Sequence, residues 1–241
     1  MTDTGGILLA FAHPDDESFL AAGFTIAAAD RGDRVVLYCA TRGDAARGVG
    51  PTAADRRRLA RQRAGELALA ARELGIARVV LDRHPDKGLS DAPGLIETLV
   101  RLIRRERPGT VLTFAPDGGN RHPDHMAISR AVSLAIPMAA DARFRTAGRP
   151  HQVAALLWTA PVMPWQMRGS AKALANVAGV DVLVMLSAET RARKVRALRH
   201  HRSQRIPATQ TFGGLSPGLP GFRAEAFQFA GPGPPGRCTP G

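Results

Sequence analysis

Apolar runs of strand length recur along the chain: Ile7 to Ala12, Arg34 to Ala40, Arg78 to Asp82, Thr110 to Ala115, Val153 to Trp158 and Val180 to Leu186. They are continuous rather than alternating, as parallel strands covered on both faces should be. Helical stretches fall between and after them, at Glu17 to Asp30, Ala54 to Leu74, Pro93 to Glu106, Asp124 to Ala140 and Ala188 to His201. This alternation predicts a three-layer, Rossmann-like α/β fold. Its core is a doubly wound parallel sheet with right-handed crossovers, ordered 3-2-1-4-5, with an added edge strand. A Gly- and Pro-rich loop is expected over Gln210 to Gly221, followed by a short apolar stretch from Phe222 to Phe229. Residues 1–230 read as a single domain, and the Pro/Gly segment 231–241 as a disordered tail with too little apolar content to order itself.

The length of 241 residues and the 44% hydrophobic composition suit one domain with a substantial core. No apolar run approaches the roughly 20 residues a membrane span needs, and the N-terminal residues lack the pattern of a secretory signal. The expectation is a soluble protein of the cytoplasm. Two cysteines, Cys39 and Cys238, form no framework or CxxC motif, in keeping with a reducing compartment. The formal net charge of +12 raises the question of nucleic acid or anionic substrates. Thirty of the 33 basic residues are Arg, however, and they are scattered over most helices rather than gathered into one stripe. Aromatic residues for base stacking make up only 5%. Nucleic acid is therefore not the expected partner. The densest basic run, Arg56-Arg57-Arg58 with Arg61 and Arg63, is where phosphate contacts would be sought.

The chemistry lies in two clusters. Ala12-His13-Pro14-Asp15-Asp16-Glu17 directly follows the first strand, and His122-Pro123-Asp124-His125 comes soon after the fourth. Acidic residues at a helix start, with proline in its first turn, are ordinary. A His-Pro-Asp unit after two different strands is not. In an open α/β sheet, ligands bind at the strand C-terminal ends where strand order reverses, and the order 3-2-1-4-5 makes strands one and four neighbours there. Two imidazoles and a carboxylate, His13, His125 and Asp16, are a common ligand set for catalytic zinc, which keeps a fourth position for water; iron(II) or another divalent metal also accepts such a set. Asp15, diverging from Asp16, is the expected general base, and His122 the group that steadies an oxyanion or protonates a leaving amine.

The segments AHPDDE and HPDH resemble the LmbE or PIG-L family of zinc-dependent N-acetylglucosaminyl deacetylases, relatives of the mycothiol- and bacillithiol-pathway enzymes. Further matches spread over roughly residues 7 to 229. Thr41-Arg42-Gly43-Asp44 resembles the family's TRGE, with Asp in place of Glu. Arg63, Glu66 and Leu67 resemble its RxxEL helix, and Asp86-Lys87-Gly88-Leu89 its D-x-G-hydrophobic loop. Lys194, Ala197, Leu198, His201, Ser203 and Gln204 follow its KxxALxxHxSQ helix, and Ala224 to Phe227 its AEAF. The resemblance implies the same metal ligands, His13, Asp16 and His125, with Asp15 as base and His122 as second catalytic group. It also implies that Arg63 and Asp86 contact a sugar. Asn120 stands where mycothiol-pathway members carry tyrosine, which removes a tyrosine-assisted oxyanion and one reason to name that pathway. The substrate implied is an N-acetylated amino sugar, released as acetate and free amine.

Several readings stay open beside this one. An amidase cleaving a larger acyl group or a thiol-sugar conjugate would use the same metal chemistry. A basic nucleic-acid-binding protein with a vestigial metal site is the alternative from another class. His84-Pro85-Asp86 follows strand three, away from the switch point, and reads as a loop with a substrate-facing Asp86. His201 reads as a structural histidine, and the stretch from Trp158 through Met163 and Trp165 to Met167 as packing or an apolar wall over the crevice. A homo-oligomer is compatible with the sequence.

Overall fold

The structure is a computed structural model that describes residues 5–46, 48–160 and 179–230. The tail 231–241, Cys238, and Met163, Trp165 and Met167 lie outside the described residues.

Strands β1 (Ile7–Phe11), β2 (Val35–Thr41), β3 (Arg78–His84), β4 (Thr110–Thr113) and β5 (Ala155–Thr159) pair in parallel in the order 3-2-1-4-5. Every residue of β1 and β2 is buried, so the continuous apolar runs are what a sheet covered on both faces requires. Two strands extend the sheet beyond β5 where one was expected. Ala224–Phe229 (β7) lies antiparallel to β5, and Val182–Met185 (β6) pairs antiparallel with β7 at the edge. The apolar stretch from Phe222 thus supplies an inner strand, and the sheet is mixed rather than wholly parallel.

The helices are α1 (Asp16–Leu20), α2 (Ala22–Asp30), α3 (Ala53–Leu74), α4 (Leu95–Glu106), α5 (Pro123–Ala140), α6 (Ala188–His200) and α7 (Arg205–Phe212). Helices α4 and α5 pack together, and α2 and α3 pack on α6, giving the two outer layers. Local signals set several ends. Thr52 and Asp55 form a reciprocal capping box at α3, Gly75 ends it in the left-handed conformation, and Ser187 caps α6. Helix α7 takes up residues 210–212 of the expected loop. Pro207 falls in its first turn, where no intrahelical N–H is lost, while Ala208 and Phe212 are buried beneath it.

The helix expected from Glu17 to Asp30 is broken at Ala21. The Glu225 carboxylate of β7 accepts the backbone N–H groups of Gly23 and Phe24 at 2.9 Å each, capping a new helix start. The buried Lys194 ammonium, 2.6 Å from Glu225, neutralises that carboxylate and donates to the Phe19 carbonyl at the end of α1. One buried ion pair therefore ties α1, α2, α6 and β7 together.

Candidate functional site

The first His-Pro-Asp segment is shaped by its anchors. Beyond β1, the Ala12 carbonyl accepts both the backbone N–H and the hydroxyl of Thr41. Asp15 then adopts φ 132°, ψ −29°, a region that non-glycine residues avoid. Glu17 Oε2 accepts the Asp15 N–H at 3.0 Å, and Glu17 Oε1 lies 2.8 Å from His201 Nε2 and accepts the Ser18 hydroxyl at 2.6 Å. The second segment starts α5. The His122 Nδ1 accepts the Asp124 backbone N–H, and Pro123 occupies the first helical position, so His125 follows on the first turn facing β1.

These two segments meet. His13 Nδ1 and His125 Nε2 are 3.2 Å apart, and the Asp16 carboxylate places Oδ2 3.6 Å from the first and Oδ1 3.5 Å from the second. The far nitrogens of both rings are committed. His13 Nε2 faces Asp124 Oδ2 at 3.1 Å and Asp86 Oδ1 at 3.3 Å, and His125 Nδ1 faces the Gly118 carbonyl at 3.1 Å. Carboxylates and carbonyls only accept, so those far nitrogens carry the protons of the neutral rings, and the near nitrogens are the ones that present lone pairs once the rings are neutral. With both rings neutral three acceptors converge, and the His13 backbone N–H, donating to Asp16 Oδ2 at 2.8 Å, fixes the carboxylate among them. A tetrahedral site with bonds of roughly 2.0–2.1 Å has edges of about 3.3 Å, which fits this donor set. Phe114, stacked on the His125 ring at 3.9 Å between centroids, fixes its plane. The residues therefore form a His/Asp cluster suited to a divalent metal. The rings of His13, His122 and His125 also bring ligand nitrogens together, while a further grouping, His13 with Asp86 and Asp124, uses the opposite nitrogen of His13 and orients that ring.

Electrostatics divide the two neighbouring carboxylates. Burial pushes Asp15 up to about 7, against the opposing pull of the Arg63 guanidinium. Burial would raise Asp16 too, but the adjacent His125 and His13 outweigh it and hold Asp16 down to about 2. Burial would lower His13, yet its hydrogen bonds to Asp124, Asp16 and Asp86 keep it well above the ordinary imidazole value. Burial and the His13 charge hold His122 below its ordinary value. Its Nδ1 being an acceptor, the neutral ring carries its proton on Nε2.

All the residues nominated from sequence, His13, Asp15, Asp16, Arg63, Asp86, Asn120, His122 and His125, line one cavity of about 580 Å³. Arg63 is not a solvated charge. It is buried, donates to the Gly43 and Pro14 carbonyls, and lies 3.2 Å from Asp15 Oδ2. Gly43 permits this: a Cβ there would stand 2.5 Å from the Arg63 guanidinium carbon. Asp86 lies in the loop after β3, away from the switch point, yet it reaches His13 and accepts the Ala45 N–H at 2.7 Å. Asn120 Oδ1 accepts the His122 backbone N–H at 3.0 Å, holding the turn that presents His122. His201 is fully buried against Glu17 and does not line the cavity, and Trp158 sits on β5 outside its lining.

Sequence reasoning missed Asp124 and Glu17. Asp124 touches His13 and accepts the backbone N–H groups of Lys87 and Leu89, so it holds the Asp86 loop as well. Its place inside HPDH was the available signal. Gln204, the last residue of the KxxALxxHxSQ motif, forms a wall with Pro207 and Thr211 of α7, which no motif announced.

A family model described as PIG-L, GlcNAc-PI de-N-acetylase, matches residues 8–136. The chain is 38% identical over 180 residues to a 1D-myo-inositol 2-acetamido-2-deoxy-alpha-D-glucopyranoside deacetylase of Rhodococcus opacus, an alignment covering 64% of this chain and 60% of the relative. The chain thus spans about three-fifths of that relative's length. In fold it is similar to the N,N'-diacetylchitobiose deacetylase of Pyrococcus horikoshii, with TM-score 0.71 and 19% identity over 93% of this chain and 83% of the other. It is equally similar to a 4-carboxy-2-hydroxymuconate hydratase of Pseudomonas putida, with TM-score 0.71 and 17% identity over 94% and 96% of the two chains. Those two likenesses are of fold alone, and one fold here carries two chemistries. With the model match spanning both His-Pro-Asp segments, the chain belongs to the PIG-L, or GlcNAc-PI de-N-acetylase, family.

Proposed function

We propose that this protein is a metal-dependent deacetylase that hydrolyses the acetamide of an N-acetylglucosamine-containing small molecule or glycoconjugate. The observation that carries the reading is the convergence of His13 Nδ1, His125 Nε2 and the Asp16 carboxylate within 3.2–3.6 Å of one another, with Asp15 beside Asp16. The family description and the Rhodococcus relative's name support the substrate class. A divalent cation, zinc or iron(II), held by His13, Asp16 and His125 would supply Lewis acidity toward the carbonyl and a water that ionises near neutral pH.

The remaining work falls to side chains. Asp15, beside Asp16 and within 3.2 Å of Arg63, accepts a proton from the attacking water. Arg63 holds Asp15 in place and balances its charge. The His122 Nε2–H donates to the oxyanion as the carbonyl becomes tetrahedral. Asp15, now protonated, returns the proton to the nitrogen as the C–N bond breaks, leaving acetate and a free amino sugar. Asp86, Asn120 and Arg63 border the space the sugar ring would fill.

The test is amine release from N-acetylglucosaminides bearing inositol, malate, lipid or oligosaccharide partners, alongside larger N-acyl and thiol-sugar conjugates. Release that vanishes on chelation and returns with added metal supports the reading. Metal-loaded protein that releases no amine from any acetamido sugar overturns it, and preference for the larger acyl group replaces deacetylation with the broader amidase reading.

A further inference from the structure

On the far side of the loops that wall the catalytic cavity lies a second cavity of about 360 Å³, lined by Arg42 and Asp44 after β2, Arg83 and His84 at the end of β3, and Arg57 and Arg61 of α3. Four arginines and one aspartate line it, with Arg57, Arg61 and Arg83 exposed at its mouth and Arg42 half-buried. Among the described residues, none of the four makes a side-chain hydrogen bond or ion pair. Arg42 Nε is buried with no partner, and so is His84 Nε2, although Asp82 Oδ2 stands 3.4 Å from the latter. The protein does not leave its arginines so everywhere. Where Arg34, Arg78 and Arg105 gather, Glu106 sits among them and pairs with all three. Buried donors without acceptors are costly, and like charges brought together repel, unless an anion joins them.

We propose that this cavity is an oxyanion-binding site that takes a phosphate or carboxylate group. Guanidinium forks match both groups with paired N–H donors, and four of them suit a multiply charged anion. Arg57 and Arg61 are one helical turn apart and share a face of α3, whereas Arg63 of the same basic run turns inward to Asp15. The walls are shared with the catalytic cavity. Ala45 and Ala46 follow Asp44 into it, Asp86 and Lys87 follow Pro85 into it, and Asp86 accepts the Ala45 N–H. An anion here therefore sits behind the loops that carry Asp86. It could belong to the substrate or be a free ligand; the recognition chemistry is the same.

The site is tested by titrating inorganic phosphate into metal-free protein by calorimetry at low salt, so that the anion has no metal to bind. Saturable binding of one phosphate is expected. It should weaken about tenfold or more in Arg83→Ala and in the Arg57→Ala/Arg61→Ala double variant. It should be unchanged in Arg101→Ala, which removes the same charge from α4. No saturable binding, or equal loss in Arg101→Ala, overturns the proposal. The source follows from a second titration. If N-acetylglucosamine 1-phosphate binds more tightly than phosphate or N-acetylglucosamine and loses that advantage in the double variant, the oxyanion is the substrate's own. If phosphate and N-acetylglucosamine bind together without exclusion, it is a separate ligand. Either result upholds the site, and neither depends on deacetylation.

Discussion

Glu17 Oε2 accepts the backbone N–H of Asp15 at 3.0 Å, and this bond holds Asp15 at φ 132°. The same carboxylate is paired with a fully buried His201, so Glu17 supports Asp15, the proposed base, from behind without lining the cavity. Glu17→Ala should lower kcat on the order of a hundredfold, since small misplacements of a reacting group cost that much. KM and metal content should stay near the parent's. Glu17→Gln, which keeps one acceptor, should recover part of the rate but lose about 3 kcal/mol of stability, because His201 is left without its ion pair. Steady-state kinetics, metal analysis and denaturant unfolding check these together; an unchanged kcat in Glu17→Ala would remove the positioning role.

Asp124 would act on the proposed metal site through His13. Its carboxylate lies 3.1 Å from Nε2, so it fixes the tautomer that leaves Nδ1 bare. Asp124→Ala should weaken metal binding by roughly 10–100-fold. Competition against a chelating dye measures this directly, and parental affinity would assign the tautomer to Asp86 alone.

Asp15→Asn should keep the metal and lose turnover by roughly 10²–10⁴-fold. It should also change how stability depends on pH. A carboxyl raised from its ordinary value near 4 to about 7 binds a proton in the folded state that the unfolded state has lost. Its contribution is fully present below the ordinary value and declines as pH rises toward 7. Asp16, held at about 2, contributes stability above its ordinary value and loses it only in stronger acid. Metal-free parent protein should therefore lose stability relative to Asp15→Asn between about pH 4 and 7. Urea melts across that window would show a parallel pair of curves if Asp15 were not raised.

Metal binding should release a proton. Against the opposing effect of burial, hydrogen bonds to Asp124, Asp16 and Asp86 hold the metal-free His13 ring well above its ordinary pKa, and Nδ1 must be free of a proton to bind a cation. Calorimetry of metal binding at pH 7 in buffers of different ionisation enthalpy should show about one proton released, with affinity rising as pH rises. Heats that do not vary with buffer would mean a neutral His13.

Much of this protein was legible in its sequence because the relevant physics is local. Runs such as Val35–Thr41 and the capping pair Thr52 and Asp55 report their own burial and ends, and strand order then brings His13 beside His125. What the sequence did not reveal depends on partners distant in the chain. The helix expected from Glu17 to Asp30 breaks at Ala21 because Glu225 arrives to cap Gly23 and Phe24, and Ala224–Phe229 enters the sheet as an inner strand beside β5. Asp86 reaches His13 because Asp124 anchors its loop through the amides of Lys87 and Leu89. The sequence by itself determined the βα order, the two His-Pro-Asp segments and the ligand types, all set by periodicity and side-chain chemistry. Only the tertiary structure decided which ring nitrogen is bare, which carboxylate is raised and which arginine is buried, because proton positions and charge states follow from the groups that close around a side chain.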